Sequence, residues 1–249
     1  MTIYQQLISQ SGQSKKSLAV LVDPDKLLNG DVENIAINAA KAGVDYFFVG
    51  GSLLVNNELD QCIITLKANS KIPVILFPGN TMQMSRNADA ILFLSLISGR
   101  NAEMLIGRHV IAAPYLKQSS LEVISCGYML VDSGKTTAVQ YMSNTVPIPS
   151  DKLDIAICTA MAGEMLGMKL LYLEAGSGAL NSVPLAMIEQ VKQNITIPLI
   201  SGGGLRTPEQ ANAAAIAGAD IIVIGTAFEK NSGLISEMAD AVHKASKIV

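Results

Sequence analysis

Eight short apolar runs alternate with longer segments of helical period, and this alternation leaves few folds open to the chain. The runs are LAVLVD (18–23), VDYFFVG (44–50), VILFP (74–78), AILFLS (90–95), residues 124–131, KLLYLE (169–174), PLIS (198–201) and DIIVIG (220–225). Between them, residues 31–42 place Val32, Ile35, Ala36, Ala39 and Ala40 on one helical face. Helices are also predicted over 57–68, 101–112, 151–166, 184–193, 208–217 and 235–247. Only TMQMSRNAD (81–89) separates the third run from the fourth, and residues 132–150 fit no element well. Continuous apolar strands joined by helices imply a parallel sheet covered on both faces. Eight such units in 249 residues match the usual size of a closed (β/α)8 TIM barrel, about 250 residues. A doubly wound open sheet is the alternative. No linker or low-complexity tract interrupts the pattern, so residues 1–249 read as one α/β domain.

Composition narrows the function. A formal charge of -3 argues against a nucleic-acid surface, which needs a basic stripe. It leaves room for a small anion, because backbone amides bind anions without net positive charge. Cys62, Cys126 and Cys158 are odd in number and far apart, which fits neither a zinc site nor a disulfide framework. They point to a reducing, cytoplasmic setting. The start is polar, without an apolar signal core. The longest apolar stretch, 155–173, is broken by Glu164, Lys169 and glycines, so no transmembrane segment is expected.

Glycine marks the chemistry. Ser201-Gly202-Gly203-Gly204 follows the seventh run and Gly225-Thr226 the eighth. In a TIM barrel the loops after these two strands often bind phosphate, helped by a helix N-terminus. Thr207 and Pro208 are suited to N-cap and first turn there. Without Cβ atoms, the amides approach phosphate oxygens closely. The other strand ends carry polar groups at the rim where such barrels place their chemistry. Asp23 suits a hard cation such as Mg²⁺. Asp25 is a weaker candidate, and for either carboxylate the alternative is a cap on the following turn. Ser52, after Gly50-Gly51, can complete a metal or phosphate shell. Tyr172 and Glu174 share one strand face, directly before Gly176-Ser177-Gly178, and Glu174 is placed as a general base or hydroxyl binder. His109 and His243 fall in helical segments and read as surface or structural. Lys117 and Lys135 could reach an anion, but no motif fixes them. Most of the eleven methionines read as core filler, with some lining an apolar groove.

Taken jointly and in order, VDPDK (22–26), VGGS (49–52), YLEAGSG (172–178), SGGGLR (201–206) and IGTAFE (224–229) resemble the geranylgeranylglyceryl phosphate synthase family, in its group with archaeal and some bacterial members. The resemblance implies a TIM-barrel prenyltransferase. Its reaction joins the 3-hydroxyl of sn-glycerol 1-phosphate to an allylic polyprenyl diphosphate, with Mg²⁺. It implies Asp23 and Ser52 as metal ligands, and the loop Tyr172, Leu173, Glu174, Ala175, Gly176, Ser177 and Gly178 around glycerol phosphate. It implies Gly203, Gly204, Gly225 and Thr226 as the phosphate clamp. Leu21 stands where the other bacterial group carries Lys, so the missing positive charge is expected from Lys26 or Arg100. A homo-oligomer is expected, without a Trp to anchor its interface, as is release of a lipid product at a membrane surface. Two rival readings share the glycine clamp. One is another phosphate-binding barrel isomerase or synthase; the other is a non-catalytic binder of a phosphorylated metabolite.

Overall fold

The computed structural model describes residues 1–26, 29–225 and 234–245. Its eight strands are β1 (Ser17–Val22), β2 (Tyr46–Val49), β3 (Val74–Leu76), β4 (Ala90–Leu96), β5 (Glu122–Leu130), β6 (Leu170–Glu174), β7 (Leu199–Gly202) and β8 (Ile221–Ile224). All pair in parallel with their sequence neighbours, and β8 pairs with β1, closing a (β/α)8 barrel. The described helices are α1 (Ile3–Gly12), α2 (Asn29–Ala42), α3 (Leu59–Asn69), α4 (Arg108–Gln118), α5 (Ala138–Ser143), α6 (Leu153–Met165), α7 (Leu185–Gln193), α8 (Pro208–Ile216) and α9 (Leu234–Ala245).

Side-chain alternation along the strands divides the core in two. Inward residues such as Tyr46, Phe48, Ile75, Leu92, Tyr128, Tyr172 and Ile200 fill the barrel. Outward residues such as Val20, Phe47, Val74, Ile91, Leu171 and Leu173 pack beneath the helices. Adjacent inward residues meet in layers: Tyr128 opposes Tyr172, which opposes Ile200, and one layer higher Leu130 opposes Glu174, which opposes Gly202. Glu174 is therefore in the last layer before the C-terminal rim.

Three segments differ from the sequence expectation. The polar N-terminus forms α1, begun by a capping box between Thr2 and Gln5. Its first amides donate to the Glu122 carboxylate at the start of β5, and Leu7 enters the barrel interior. One buried residue in a polar stretch is too weak a period to read as a helix. Residues 132–150 yield the short α5 and a parallel bridge from Val131 to Ile148. The helix expected at 101–112 begins as a π-helical turn, Glu103–Gly107, and continues as α4 through Pro114 to Gln118.

The crossover from β3 to β4 has no helix. Outward Val74, Leu76 and Ile91 are nonetheless buried, so residues 77–89 and the neighbouring helices take over the cover there.

At the opposite, N-terminal end, one device recurs before three strands. Asp45, Asp89 and Asp220 each accept the first free amide of the preceding strand, at Leu18, Val74 and Leu199. Each carboxylate also meets a cationic or titratable helix side chain, His243, Lys67 or Lys192. His243 thus takes the structural role expected of it. The hydrogen bond to Asp45 outweighs desolvation and raises the His243 pKa. A raised histidine stabilises the fold fully below its unfolded value of about 6.5 and loses that contribution as pH rises through the folded value. His243 is 38% exposed, so screening keeps the effect small. The expected result is that His243→Gln lowers the melting temperature at pH 6, with a gap that narrows by pH 9. Equal gaps at both pH values would remove the charge from the argument.

Candidate active site

The rim of the barrel carries two polar groups of residues and one apolar groove. The first group lies at the ends of β6 and β7. Glu174 is only 5% exposed, and its Oε1 accepts the Gly176 amide at 2.6 Å. Burial raises its pKa; the Tyr172 hydroxyl and Gly176 amide act in the opposite sense. The Tyr172 hydroxyl is coupled to Glu174 electrostatically, yet it makes no hydrogen bond of normal geometry and is a buried polar atom without a partner. Such an atom costs free energy unless something meets it; the phenol lies against Gly202 beside the Glu174 carboxylate.

The consecutive glycines have a visible reason. Gly203 and Gly204 both adopt positive φ, +82° and +73°. A Cβ on Gly203 would collide with Glu174 Oε1, and one on Gly204 would stand 2.7 Å from the Asn181 carbonyl. The loop after β7 thus lies directly on the loop after β6, so larger residues would push the two apart. Among the described residues, the amides of Ser177, Gly178, Gly203 and Gly204 have no protein acceptor, which leaves them open to an anion. Lys135 Nζ approaches Gly178, so this lysine, unfixed in the sequence, faces the same loop. Arg206 braces the loop by donating to the Ala179 and Leu180 carbonyls. Leu173 and Ala175 point outward under the helices, so they offer main chain only. Gly225 stands beside Leu21 of β1, and Thr226 lies outside the described residues.

The second group lies at the ends of β1 to β3. The Asp23 carboxylate faces the bare Cα of Gly51 and pairs with Lys26 at 2.9 Å. Asp23 also caps the turn, its Oδ1 accepting the Asp25 amide at 3.2 Å, whereas the Asp25 carboxylate accepts the amides of Val55 and Asn56 and so fixes the loop that carries Ser52. Buried Gln83 ties this loop to the one after β3. It accepts from the Gly51 and Gly79 amides and donates to the Gly51 carbonyl. No group of three His, Cys, Asp or Glu residues able to cage a metal occurs among the described residues. That suits Mg²⁺ only in one form, since Mg²⁺ commonly takes one or two carboxylates and completes its shell with substrate phosphates and water.

The groove starts beside Ser52 and runs between β4 and α4, next to the crossover from β3 to β4 that carries no helix. It is lined by Phe77, Met84, Ile91, Phe93, Met104, Ala112 and Leu116, with Arg108 and Glu103 at its mouth. His109 lines it too, as a structural residue rather than a surface one, the second of the two places expected of it. It is buried, stacks edge-on to Phe93 at 4.4 Å and contacts Ser95 at 3.2 Å. Burial lowers its pKa, so it is neutral in an apolar wall. Inside the barrel mouth, Phe77 stacks on Tyr172 at 5.4 Å, and Tyr128 meets Tyr172 edge-on at 5.3 Å. These aromatic rings form a floor between the two polar groups. The sequence reading missed Phe77 and Tyr128, although Phe77 closes the third apolar run and a strand-end search could have found it. Arg100 does not join this site; it borders a separate polar hollow with Asn101, Asn144 and Thr145.

The chain resembles known proteins along almost its whole length. It is 54% identical over 247 residues to the geranylgeranylglyceryl phosphate synthase of Chitinophaga pinensis, covering 99% of this chain and 98% of that one. To the protein of the same name from Korarchaeum cryptofilum it is 41% identical, covering 90% and 91% of the two chains. The crystal structure of (S)-3-O-geranylgeranylglyceryl phosphate synthase from Thermoplasma acidophilum, in complex with sn-glycerol-1-phosphate, superposes with a TM-score of 0.93 at 34% identity, covering 98% and 99%. Thiamine phosphate pyrophosphorylase from Pyrococcus furiosus, 14% identical with a TM-score of 0.60 over 94% and 98%, shares the fold alone. Residues 13–246 match the PcrB family, and this chain belongs to it.

Proposed function

We propose that the chain is a geranylgeranylglyceryl phosphate synthase. It transfers a polyprenyl group from an allylic diphosphate to the 3-hydroxyl of sn-glycerol 1-phosphate, forming an ether and releasing diphosphate. The observation that carries this reading is the apolar groove opening onto a rim that also holds Asp23 and buried Glu174. An isomerase of small phosphorylated metabolites needs the clamp but no groove. The groove follows the π-helical turn and α4 from Met104 to Leu116, twelve residues at ~1.5 Å each, or about 18 Å. Three backbone bonds span at most ~3.6 Å, so a four-bond isoprene repeat spans about 5 Å. The groove matches a tail of about four repeats.

Glycerol phosphate is held with its phosphate on the amides of residues 177–178 and 203–204. Its hydroxyls lie between Glu174 and the Tyr172 phenol. Glu174, held by one amide and desolvated, takes the proton of the 3-hydroxyl as oxygen attacks C1 of the prenyl group. The C1–O bond to diphosphate breaks with its electron pair leaving on oxygen. The rings of Phe77, Tyr128 and Tyr172 face the region between nucleophile and leaving group, where π faces favour developing positive charge and water is excluded. Asp23 and Ser52 would hold a Mg²⁺ together with the diphosphate, and the metal would stabilise the leaving group as a Lewis acid. No described helix is long and apolar enough to cross a membrane. An amphipathic product would therefore pass from groove to membrane surface. Exposed Ile106, Val110 and Ile111 on one flank, and Ile155, Met165 and Leu166 on another, supply apolar area for the expected homo-oligomer.

The test is incubation with labelled sn-glycerol 1-phosphate, Mg²⁺ and diphosphates of C10 to C35 tails, followed by extraction into organic solvent. Label in the organic phase, greatest near C20, is the expected result. Label that never leaves water would end the reading. Groove depth has its own test. Ala112 is buried in the groove wall one turn above Leu116, so Ala112→Phe should close the lower half. At ~0.8 kcal/mol per buried CH₂, a displaced isoprene unit costs a few kcal/mol. The C20 substrate should lose at least about tenfold in kcat/KM relative to C10, and an unchanged ratio would place the tail elsewhere.

A further inference from the structure

We infer that Arg108 holds the diphosphate of the prenyl substrate; this rests on the prenyltransferase reading. The sequence offered Lys26 or Arg100 for that charge, and the geometry favours neither. Lys26 is engaged by Asp23 at 2.9 Å. Arg100 donates to the Gly99 carbonyl and faces the separate hollow. Arg108 is the first residue of α4, directly after the π-helical turn, a feature frequent at functional sites. It is the one Lys or Arg among the described residues that line the groove.

Its position follows from three contacts. Its Nη1 reaches the Gly79 carbonyl at 3.4 Å, too long for a strong hydrogen bond. No ion pair is recorded for it among the described residues. Gly79 in turn lies on the loop of Gly51 and Ser52, so close that a Cβ on it would strike the Gly51 carbonyl and stand 2.9 Å from that of Ser52. Gln83 locks this stack. The guanidinium and Ser52 thus line the same groove, joined through Gly79, with the Asp23 carboxylate against the neighbouring Gly51. A diphosphate at the end of the groove lined by Gly51, Ser52, Gly79 and Arg108 meets the guanidinium and the Ser52 loop together. Guanidinium donors in a planar fork suit phosphate oxygens. Glu103 shares the mouth and would repel the anion, but its carboxylate is folded back over Gly107.

Inorganic pyrophosphate separates charge from tail. It would be titrated with Mg²⁺ into the wild type, Arg108→Gln and Arg108→Lys, alongside kinetics with geranylgeranyl diphosphate and glycerol 1-phosphate. A lost hydrogen bond to a charged group predicts that Arg108→Gln raises both the pyrophosphate Kd and the KM for the prenyl diphosphate by about 10–100-fold. The KM for glycerol 1-phosphate should stay within about twofold, because its clamp lies on other strands. Lys should recover part of the loss. An unchanged pyrophosphate Kd overturns the inference even if the prenyl KM rises, since Arg108 would then only shape the mouth. If Arg108→Gln does not fold, Arg108→Lys decides: it keeps the charge but loses the fork, and wild-type affinity in it overturns the inference. A wild type that makes no ether yet binds pyrophosphate through Arg108 would sink the reaction and leave the anion site standing.

Discussion

Glu174→Gln should lower kcat by about 10²–10⁴-fold, the range for loss of a positioned general base, while making the protein harder to unfold at alkaline pH. Both effects have one cause. The carboxylate is almost fully buried, and burial raises its pKa. Between the unfolded and folded values the native state binds more protons than the unfolded state, so stability falls as pH rises through that window. Ionised Glu174 is therefore a cost to the fold, retained at the rim where it faces the open amides. Gln keeps the size and can still accept the Gly176 amide, but it cannot take a proton. The melting temperature of Glu174→Gln should exceed that of the wild type at pH 8 and approach it near pH 4.5. Wild-type kcat should rise with pH through the raised Glu174 value, and that acid limb should vanish in the variant. A rate within about threefold of wild type would show that ionisation of the diphosphate limits turnover and that Glu174 only positions glycerol. A variant less stable at every pH would make Glu174 a structural residue.

The barrel was legible because most strands read as continuous apolar runs and most crossovers carry a helical period. LAVLVD and DIIVIG differ from the observed β1 and β8 by about one residue at each end. The two glycine turns were legible for the same reason: glycine behind an apolar strand has few other uses. What sequence spacing cannot carry is contact across loops. That Gly203 must be bare because Glu174 Oε1 occupies the space, or that Gln83 joins two strand ends, depends on separations of 29 and 32 residues closed only by the barrel. The groove was hidden differently. It lies next to the crossover from β3 to β4 that carries no helix, and TMQMSRNAD shows no period to read. Arg108 and His109 looked like ordinary helix residues because a π-helical turn shifts the facing of everything after it. In the sequence Asp25 is open between ligand and cap, and its hold on the Val55 and Asn56 amides crosses 30 residues that no local turn signal spans.

Gly204→Asp should weaken glycerol 1-phosphate binding by about tenfold or more, and the arguments for it are independent. The first is steric. Gly204 has φ of +73°, and its Cβ would meet the Asn181 carbonyl at 2.7 Å and the Ser182 amide at 2.8 Å. These are backbone atoms, so the loops after β6 and β7 must separate for any side chain to fit, and positive φ is unfavourable for most residues. The second is electrostatic. A carboxylate would enter beside amides that otherwise meet the phosphate, and like charges at short range in a partly desolvated site cost several kcal/mol. Gly204→Ala isolates the first effect, because it adds the methyl without the charge. Raising ionic strength should relieve part of the Asp defect and none of the Ala defect. Prenyl diphosphate binding, at the other end of the rim, should change little in either variant. A folded Gly204→Asp protein with wild-type KM for glycerol 1-phosphate would move the phosphate away from β7, leaving the glycines to serve only the contact between the two loops.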